Sequence, residues 1–199
     1  MGIKTQSHFL QIRIKMKVTR PTKQLYVLAL SLLSIPAWAA TVTAPGIRNF
    51  HQVNEHIYRG GQPTDEGWNS LAGLGVKTII DLRREGEDGH SIAAEAQAVE
   101  AAGMRYVSVP MEGIVSPGEE QISKILGLMD SEEPVFVHCK EGKDRTGTAI
   151  ACFRIAHERW ENKKAMKEAE SHGMHWYEVG MKYYIMNFQP STERASAGN

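Results

Sequence analysis

The chain has 199 residues, of which 42% are apolar and 23% are charged. This length and balance are those of a single globular domain, and they exclude an intrinsically disordered or low-complexity chain. Basic and acidic residues are equal in number, at 23 each, so the chain as a whole has no excess of basic charge for binding nucleic acid.

The first 39 residues differ in composition from the rest. They carry six basic residues and no acid, followed by the apolar run Leu25–Ile35 and by Ala37-Trp38-Ala39. A basic segment, a short apolar segment and an Ala-x-Ala site predict a signal peptide over residues 1–39, cleaved after Ala39. The run is too short for a stable membrane span, although an uncleaved anchor is the alternative. Export predicts a periplasmic or secreted protein. Translation starts either at Met1 or at Met16, which would give a signal peptide of more ordinary length.

Cleavage changes the charge of the remaining domain, residues 40–199. These residues hold 17 Lys and Arg against 23 Asp and Glu, a net charge of −6. An acidic domain without a basic face does not favour nucleic acid as a partner. The domain is expected to end in a short C-terminal tail that begins at Gln189.

Apolar strand-like segments alternate with helix-like segments from Asn49 onward. Short segments around Asn54-Glu55 predict a hairpin, and Thr64 is a good N-cap for a helix that ends near Gly73 to Gly75. Further strands are predicted over residues 76–82, 105–110 and 135–137. Further helices are predicted over 91–102, 116–129, 146–157, 163–172 and 176–188. This alternation predicts an α/β fold, with a central, mostly parallel sheet and helices on both faces.

The segment between the strand over residues 135–137 and the helix at Thr146 contains Cys139 and carries the candidate chemistry. Backbone N–H groups of a loop that enters a helix N-terminus form a cradle for a phosphate group. A cysteine thiolate is stabilised there and becomes a nucleophile, and Arg145 grips phosphoryl oxygens. We expect Thr146 to donate a hydrogen bond to the sulfur and His138 to orient the loop. The second cysteine, Cys152, is expected in the core. The residues predicted to bind phosphate are Lys140, Glu141, Gly142, Lys143, Asp144, Arg145 and Thr146.

The pattern His138-Cys139-x-x-Gly142-x-x-Arg145-Thr146-Gly147 resembles the signature loop of the cysteine-based protein tyrosine phosphatase superfamily. Together with other segments between residues 49 and 157, it is most similar to the small atypical dual-specificity phosphatases of plants, fungi and bacteria. The resemblance implies a phosphatase fold and hydrolysis through a phosphocysteine intermediate. It implies no cofactor, and the scattered histidines do not predict a metal site. The alternatives are a non-catalytic phosphate-binding module and a rhodanese-like sulfurtransferase.

The general acid is the point at which the sequence departs from that family. Dual-specificity phosphatases use an aspartic acid in the loop after the strand that precedes the signature strand, and here Gly113 stands at the expected position. Glu112 is one residue early and is one candidate. Asp144, inside the signature loop, is the other, in a position that also occurs in myotubularins. A phosphoanhydride has a weakly basic leaving group, so an enzyme that splits one tolerates a missing acid.

Two lysines of the loop bear on the substrate. Lys140 and Lys143 resemble residues of phosphatases that act on phosphoinositides and inositol phosphates, whereas phosphotyrosine loops mostly carry small neutral residues there. The opposing interpretation is that Glu141 and Asp144 neutralise both lysines. The predicted partner is therefore either a phosphorylated protein or a polyanionic small-molecule phosphate.

Overall fold

Residues 42–190 are described by the computed structural model. Their five strands form one sheet in the order β1-β2-β5-β3-β4. The strands are β1 (His51–Gln52), β2 (Ile57–Gly61), β3 (Thr78–Asp81), β4 (Arg105–Ser108) and β5 (Val135–Cys139). Strand β1 pairs with β2 in antiparallel register, and all other pairs are parallel. The predicted hairpin and mostly parallel sheet are confirmed.

Six α-helices within residues 42–190 cover the sheet. They are α1 (Asp65–Gly73), α2 (Ile92–Ala101), α3 (Glu119–Met129), α4 (Asp144–Glu158), α5 (Asn162–Ser171) and α6 (Val179–Asn187). Side chains of a strand alternate between the two faces of the sheet, so each face has its own core. Tyr58, Ile79 and Phe136 pack with residues of α1 and α2. Ile57, Ile80 and Val137 pack with residues of α3, α4, α5 and α6. The prediction of helices on both faces is confirmed.

The boundaries differ from the predictions in one place that matters for the site. Helix α4 begins at Asp144, two residues before the predicted start at Thr146, so Asp144 and Arg145 lie in its first turn. The first N–H groups of a helix have no partner within that helix, which favours an anion at this end. Thr64 does precede α1 with extended backbone, but its side chain makes no capping hydrogen bond and instead donates to the carbonyl of Gly46.

The predicted signal peptide and residues 191–199 of the predicted tail lie outside the described residues. Within residues 42–190, none of the helices has the length and apolar character needed to cross a membrane.

Candidate active site

The candidate nucleophile lies at the carboxyl end of the central strand. Strand β5 is flanked by β2 and β3, and Cys139 is in register with Gly61 of β2. Open α/β sheets place ligands at this edge. The Cys139 side chain is buried and unbridged. Cys152 lies in the core as predicted, where burial raises the pKa of its thiol.

In the loop after Cys139, backbone carbonyl groups accept hydrogen bonds from other segments, whereas the backbone N–H groups have no partner among the described residues. The carbonyl of Lys140 accepts from the N–H of Gln62 at 3.1 Å. The carbonyl of Gly142 accepts from Nδ2 of Asn49 and from Nη2 of Arg59, both at 2.9 Å. The N–H groups of residues 140–145 donate no hydrogen bond to any other residue of the range 42–190. These N–H groups are therefore available to an anion, as the predicted phosphate cradle requires.

Gly142 is required for this arrangement. Its φ angle is +71°, in the left-handed region that side chains disfavour. A Cβ atom at this position would also collide with the backbone of Gly60 in β2. The loop therefore packs directly against β2, and only glycine fits between them.

Arg59 and Asn49 hold the loop in place, and no role for either had been predicted. Burial lowers the pKa of Arg59 to about 10, and its guanidinium interacts electrostatically with the Cys139 sulfur. Both residues belong to segments that contribute to the family resemblance, Asn49-Phe50 and Ile57–Pro63, and that is the only sequence signal that marks them.

Arg145 is held in a fixed orientation by Glu87. Its Nη1 and Nη2 donate to the two carboxylate oxygens of Glu87 at 2.7 and 2.6 Å, and Nη1 also donates to the carbonyl of Leu82 at 3.3 Å. The guanidinium donors that remain are Nε–H and the second Nη2–H, which run in parallel along one edge. That edge matches two oxygens of a phosphoryl group. The hydrogen bonds from Arg145 lower the pKa of Glu87 to about 2.

His138 belongs to a buried polar network beside the loop. Its Nε2 lies 3.0 Å from Oε1 of Glu95 and 3.8 Å from Oδ1 of Asp81. Burial opposes the charged ring, but these carboxylates outweigh burial and raise the pKa of His138. Asp81 also accepts from the backbone N–H of Arg83 and from the hydroxyl of Tyr106.

The only group of His, Cys, Asp and Glu side chains in residues 42–190 that is close enough to share a metal ion is Asp81, Glu95 and His138. These side chains already pair with one another, as a charged network does. They lie outside the set of residues predicted to bind phosphate.

Thr146 does not make the predicted contact. Its hydroxyl is buried and has no hydrogen-bond partner among the described residues, so the bond to the Cys139 sulfur is not formed in this structure. The sequence spacing places Thr146 in the first turn of α4 but does not determine the rotamer of its side chain.

Both candidate general acids are engaged elsewhere. Oε2 of Glu112 forms an exposed ion pair with Nη1 of Arg84 at 2.6 Å. The carboxylate of Asp144 accepts from the backbone N–H of His175 at 2.8 Å, and its Oδ2 lies 2.9 Å from Nδ1 of the same residue. Asp144 thus links the first turn of α4 to the segment before α6, as a structural carboxylate does.

Each lysine of the loop also has an acidic partner. Lys140 pairs with Asp88 and Lys143 pairs with Glu141, both at 2.8 Å. The opposing interpretation named Glu141 and Asp144 as the neutralising acids. Glu141 is confirmed as the partner of Lys143, whereas the partner of Lys140 is Asp88 and not Asp144.

Comparison with known proteins places this loop in a family. Residues 31–181 match the family model described as a DSP-PTPase phosphatase fused to NAD+ kinase, and the signature loop lies inside that match. The chain belongs to this dual-specificity phosphatase family. Over 140 residues it is 30% identical to the dual specificity protein phosphatase TpbA of Pseudomonas aeruginosa (strain UCBPP-PA14), covering 69% of this chain and 60% of that protein. It is 30% identical over 132 residues to the inositol diphosphatase DSP2 of Oryza sativa subsp. japonica, covering 62% of each.

A solved phosphatase structure agrees with the fold. The core catalytic domain of the PP-IP phosphatase SIW14 from S. cerevisiae superposes with a TM-score of 0.64 and 22% identity, covering 78% of this chain and 94% of that one. The matched region spans about 60% of the length of the two curated relatives named above. The fold is that of the phosphatase family, as predicted.

Proposed function

We propose that this protein is a phosphatase that hydrolyses phosphomonoesters or phosphoanhydrides through a phosphocysteine intermediate. One observation carries the proposal. The Cys139 sulfur adjoins a loop whose N–H groups are free, and Arg145 of that loop has two parallel donors left over. Membership of the dual-specificity phosphatase family supports the same function.

The reaction follows from this geometry in two steps. The Cys139 thiolate attacks phosphorus, a sulfur–phosphorus bond forms, and the bond from phosphorus to the leaving oxygen breaks. Arg145 and the loop N–H groups stabilise the charge on the three other oxygens as it redistributes. Water then attacks phosphorus and the sulfur–phosphorus bond breaks, which releases phosphate and regenerates the thiolate. The water gives its proton to the group that protonated the leaving oxygen or to solvent. His138 and Glu87 act as positioning residues, because neither contacts the reacting atoms directly.

The leaving oxygen needs a proton when it belongs to a tyrosine, whose phenol has a pKa of about 10. Glu112 is the better candidate for this role, because its ion pair with Arg84 is exposed and exchangeable, whereas Asp144 is bound twice by His175. The substrate is either a phosphoprotein or an inositol phosphate. The names of the two curated relatives represent these two classes.

Export is part of the proposal. The signal-peptide features of residues 1–39 support cleavage after Ala39 and a periplasmic or secreted phosphatase domain over residues 40–199. N-terminal sequencing of the mature protein and cell fractionation test this, and an intact N-terminus in the cytosolic fraction would contradict it.

The activity is tested by phosphate release from a panel of substrates. The panel contains an aryl phosphate, a phosphotyrosine peptide, a phosphoinositide, inositol hexakisphosphate and an inositol pyrophosphate, each run with the native protein and with Cys139→Ser. We expect release that vanishes in the variant, because serine lacks a thiolate. Sulfur transfer from thiosulfate to cyanide, or phosphate binding without release, would contradict the proposal.

A further inference from the structure

Five large apolar side chains are exposed on two segments, and we call them the apolar rim. Ile114 and Val115 lie between β4 and α3, with 62% and 53% of their surface exposed. Trp176 and Tyr177 precede α6 and Val179 is its first residue, with 83%, 44% and 68% of their surface exposed. Monomeric proteins rarely expose apolar residues in such a group, so a contiguous set of this kind indicates a binding surface.

The apolar rim adjoins the phosphate loop. His175 is bonded to Asp144 of that loop, and the His175 ring stacks on Tyr177 with centroids 4.9 Å apart. Tyr177 in turn makes an edge contact with Trp176. Gly173, just before this segment, packs against the side chain of Lys143. The rim therefore begins at one wall of the cradle.

The two segments of the rim are joined by specific bonds that hold Ile114 in a strained conformation. Ile114 has a φ angle of +70°, which is rare for a β-branched residue. Its N–H donates to Oε2 of the buried Glu178 at 2.8 Å, and its carbonyl accepts from the N–H of Gly180 at 3.0 Å. A Cβ atom on Gly180 would collide with that carbonyl. Strain of this kind is typical of functional sites, and here it presents an apolar side chain to solvent.

The charges around the cradle do not favour a polyanion. Lys140, Lys143 and Arg84 each pair with a carboxylate. The segments 83–90 and 139–145 together with Glu112 hold five Lys and Arg against six Asp and Glu. A ligand with many phosphate groups would have to displace these carboxylates, whereas a single phosphate needs only the loop N–H groups and Arg145. The acidic charge of residues 40–199 likewise opposes an anionic membrane surface.

We propose that the apolar rim binds apolar side chains that flank the phosphorylated residue of a protein substrate, and so selects among phosphoproteins. The proposal rests on the proposed phosphatase function and names the substrate class of the same site. Trp176 and Val115 are its specificity-determining residues, because both side chains are exposed and neither side chain forms a hydrogen bond within residues 42–190.

Two phosphotyrosine peptides of equal length and charge test the proposal. One carries leucine, isoleucine and phenylalanine beside the phosphotyrosine, and the other carries serine and glutamine there. We expect kcat/KM to be about tenfold higher for the apolar peptide, as burial of one or two apolar side chains provides. The ratio should fall to about one in Trp176→Ser combined with Val115→Ser. It should stay about tenfold in Met186→Ser, a matched change of an exposed apolar residue at the far end of α6.

Binding in the Cys139→Ser background separates this proposal from the phosphatase function. The same ratio is measured there as a ratio of Kd values, which requires no turnover. If the apolar peptide binds more tightly but the native protein releases no phosphate, the proposal for the rim is supported and the proposed phosphatase activity is contradicted. Turnover with equal use of both peptides would contradict the rim alone. Three further results would overturn the proposal for the rim. The first is a higher kcat/KM for the inositol pyrophosphate than for either peptide. The others are that the Trp176→Ser and Val115→Ser changes lower activity only on vesicle-borne phosphoinositide, or that they only convert a dimer into monomers.

Discussion

Glu87 fixes the residue that is central to the chemistry. It binds the end of the Arg145 guanidinium with both carboxylate oxygens and leaves the side edge of the same group for the substrate. The two residues lie 58 positions apart in the chain. Glu87 therefore orients Arg145 without competing for the donors that a phosphoryl group uses.

Replacement of Glu87 by glutamine tests this role. The amide has one acceptor oxygen in place of two, so it cannot hold both nitrogens of Arg145. We expect kcat/KM for an aryl phosphate to fall by roughly tenfold to hundredfold, the cost of misplacing a catalytic group. Glu100→Gln, an exposed change of the same kind on α2, is the control and should leave the kinetics unchanged.

The pH dependence of the Glu87–Arg145 pair has a defined sign. The pKa of Glu87 is lowered in the folded protein from 4.5 to about 2. Its stabilisation is therefore fully present above pH 4.5 and is lost as the pH falls toward 2. The acid limb of the activity profile between pH 5 and 8 should then be the same in the native protein and in Glu87→Gln. A shifted limb would show that Glu87 titrates during catalysis.

The sequence was sufficient to predict those residues of the site that lie close together in the chain. Cys139, Gly142 and Arg145 lie within seven consecutive residues, and one loop carries all three. Asn49, Arg59 and Glu87 reach the same loop from other segments, and nothing in their local sequence shows that contact. The predicted bond from Thr146 to the Cys139 sulfur is not formed, because residue spacing does not determine which rotamer the Thr146 side chain adopts.

The phosphate loop acts as one element with β2 and α4. Gly142 fits against the backbone of Gly60, and its carbonyl is held by Arg59 of the same strand. The loop conformation therefore depends on a close approach of two backbones. Any side chain at position 142 must move the loop, the strand or both.

Gly142→Ala should disrupt this element. We expect a loss of stability of about 1–3 kcal/mol from the positive φ angle alone, with the steric clash adding to it. Phosphate release should also fall by more than about a hundredfold, because the N–H groups no longer converge. Urea denaturation and aryl phosphate kinetics measure the two effects.

Gly127→Ala is the matched control, with the opposite sign. Gly127 lies on the exposed face of α3, and a Cβ atom there meets nothing within 4 Å. Alanine should stabilise the helix by about 0.5–1 kcal/mol and leave activity unchanged. Equal behaviour of the two variants would show that the cradle does not depend on the backbone of Gly142.

Element types were predictable from the apolar pattern of each segment. Strand β3 is buried at all four positions, as a short apolar run predicts, and helix α3 is apolar on the side that packs. Both lie within their predicted ranges. The general-acid loop was harder, because residues 112–118 have no period. Their conformation is set by bonds to Glu178 and Gly180, which lie 64 or more residues later in the chain.

The whole domain is organised so that one edge of the sheet carries the site. Two helices cover one face and four cover the other, so β5 is buried on both faces and ends at Cys139. The alternation of strands and helices predicts this architecture, and the order of strands then brings β2 and β3 to either side of the nucleophile.

The proposed mechanism requires a covalent bond between Cys139 and the transferred phosphoryl group. The most direct test is rapid acid quenching of the native protein during turnover of an aryl phosphate, followed by mass spectrometry of the peptide that contains Cys139. We predict one added phosphoryl group on that cysteine, formed and lost at rates consistent with turnover, and none on Cys152. Continued phosphate release by Cys139→Ser, or a phosphoryl group on any other residue, would contradict the account.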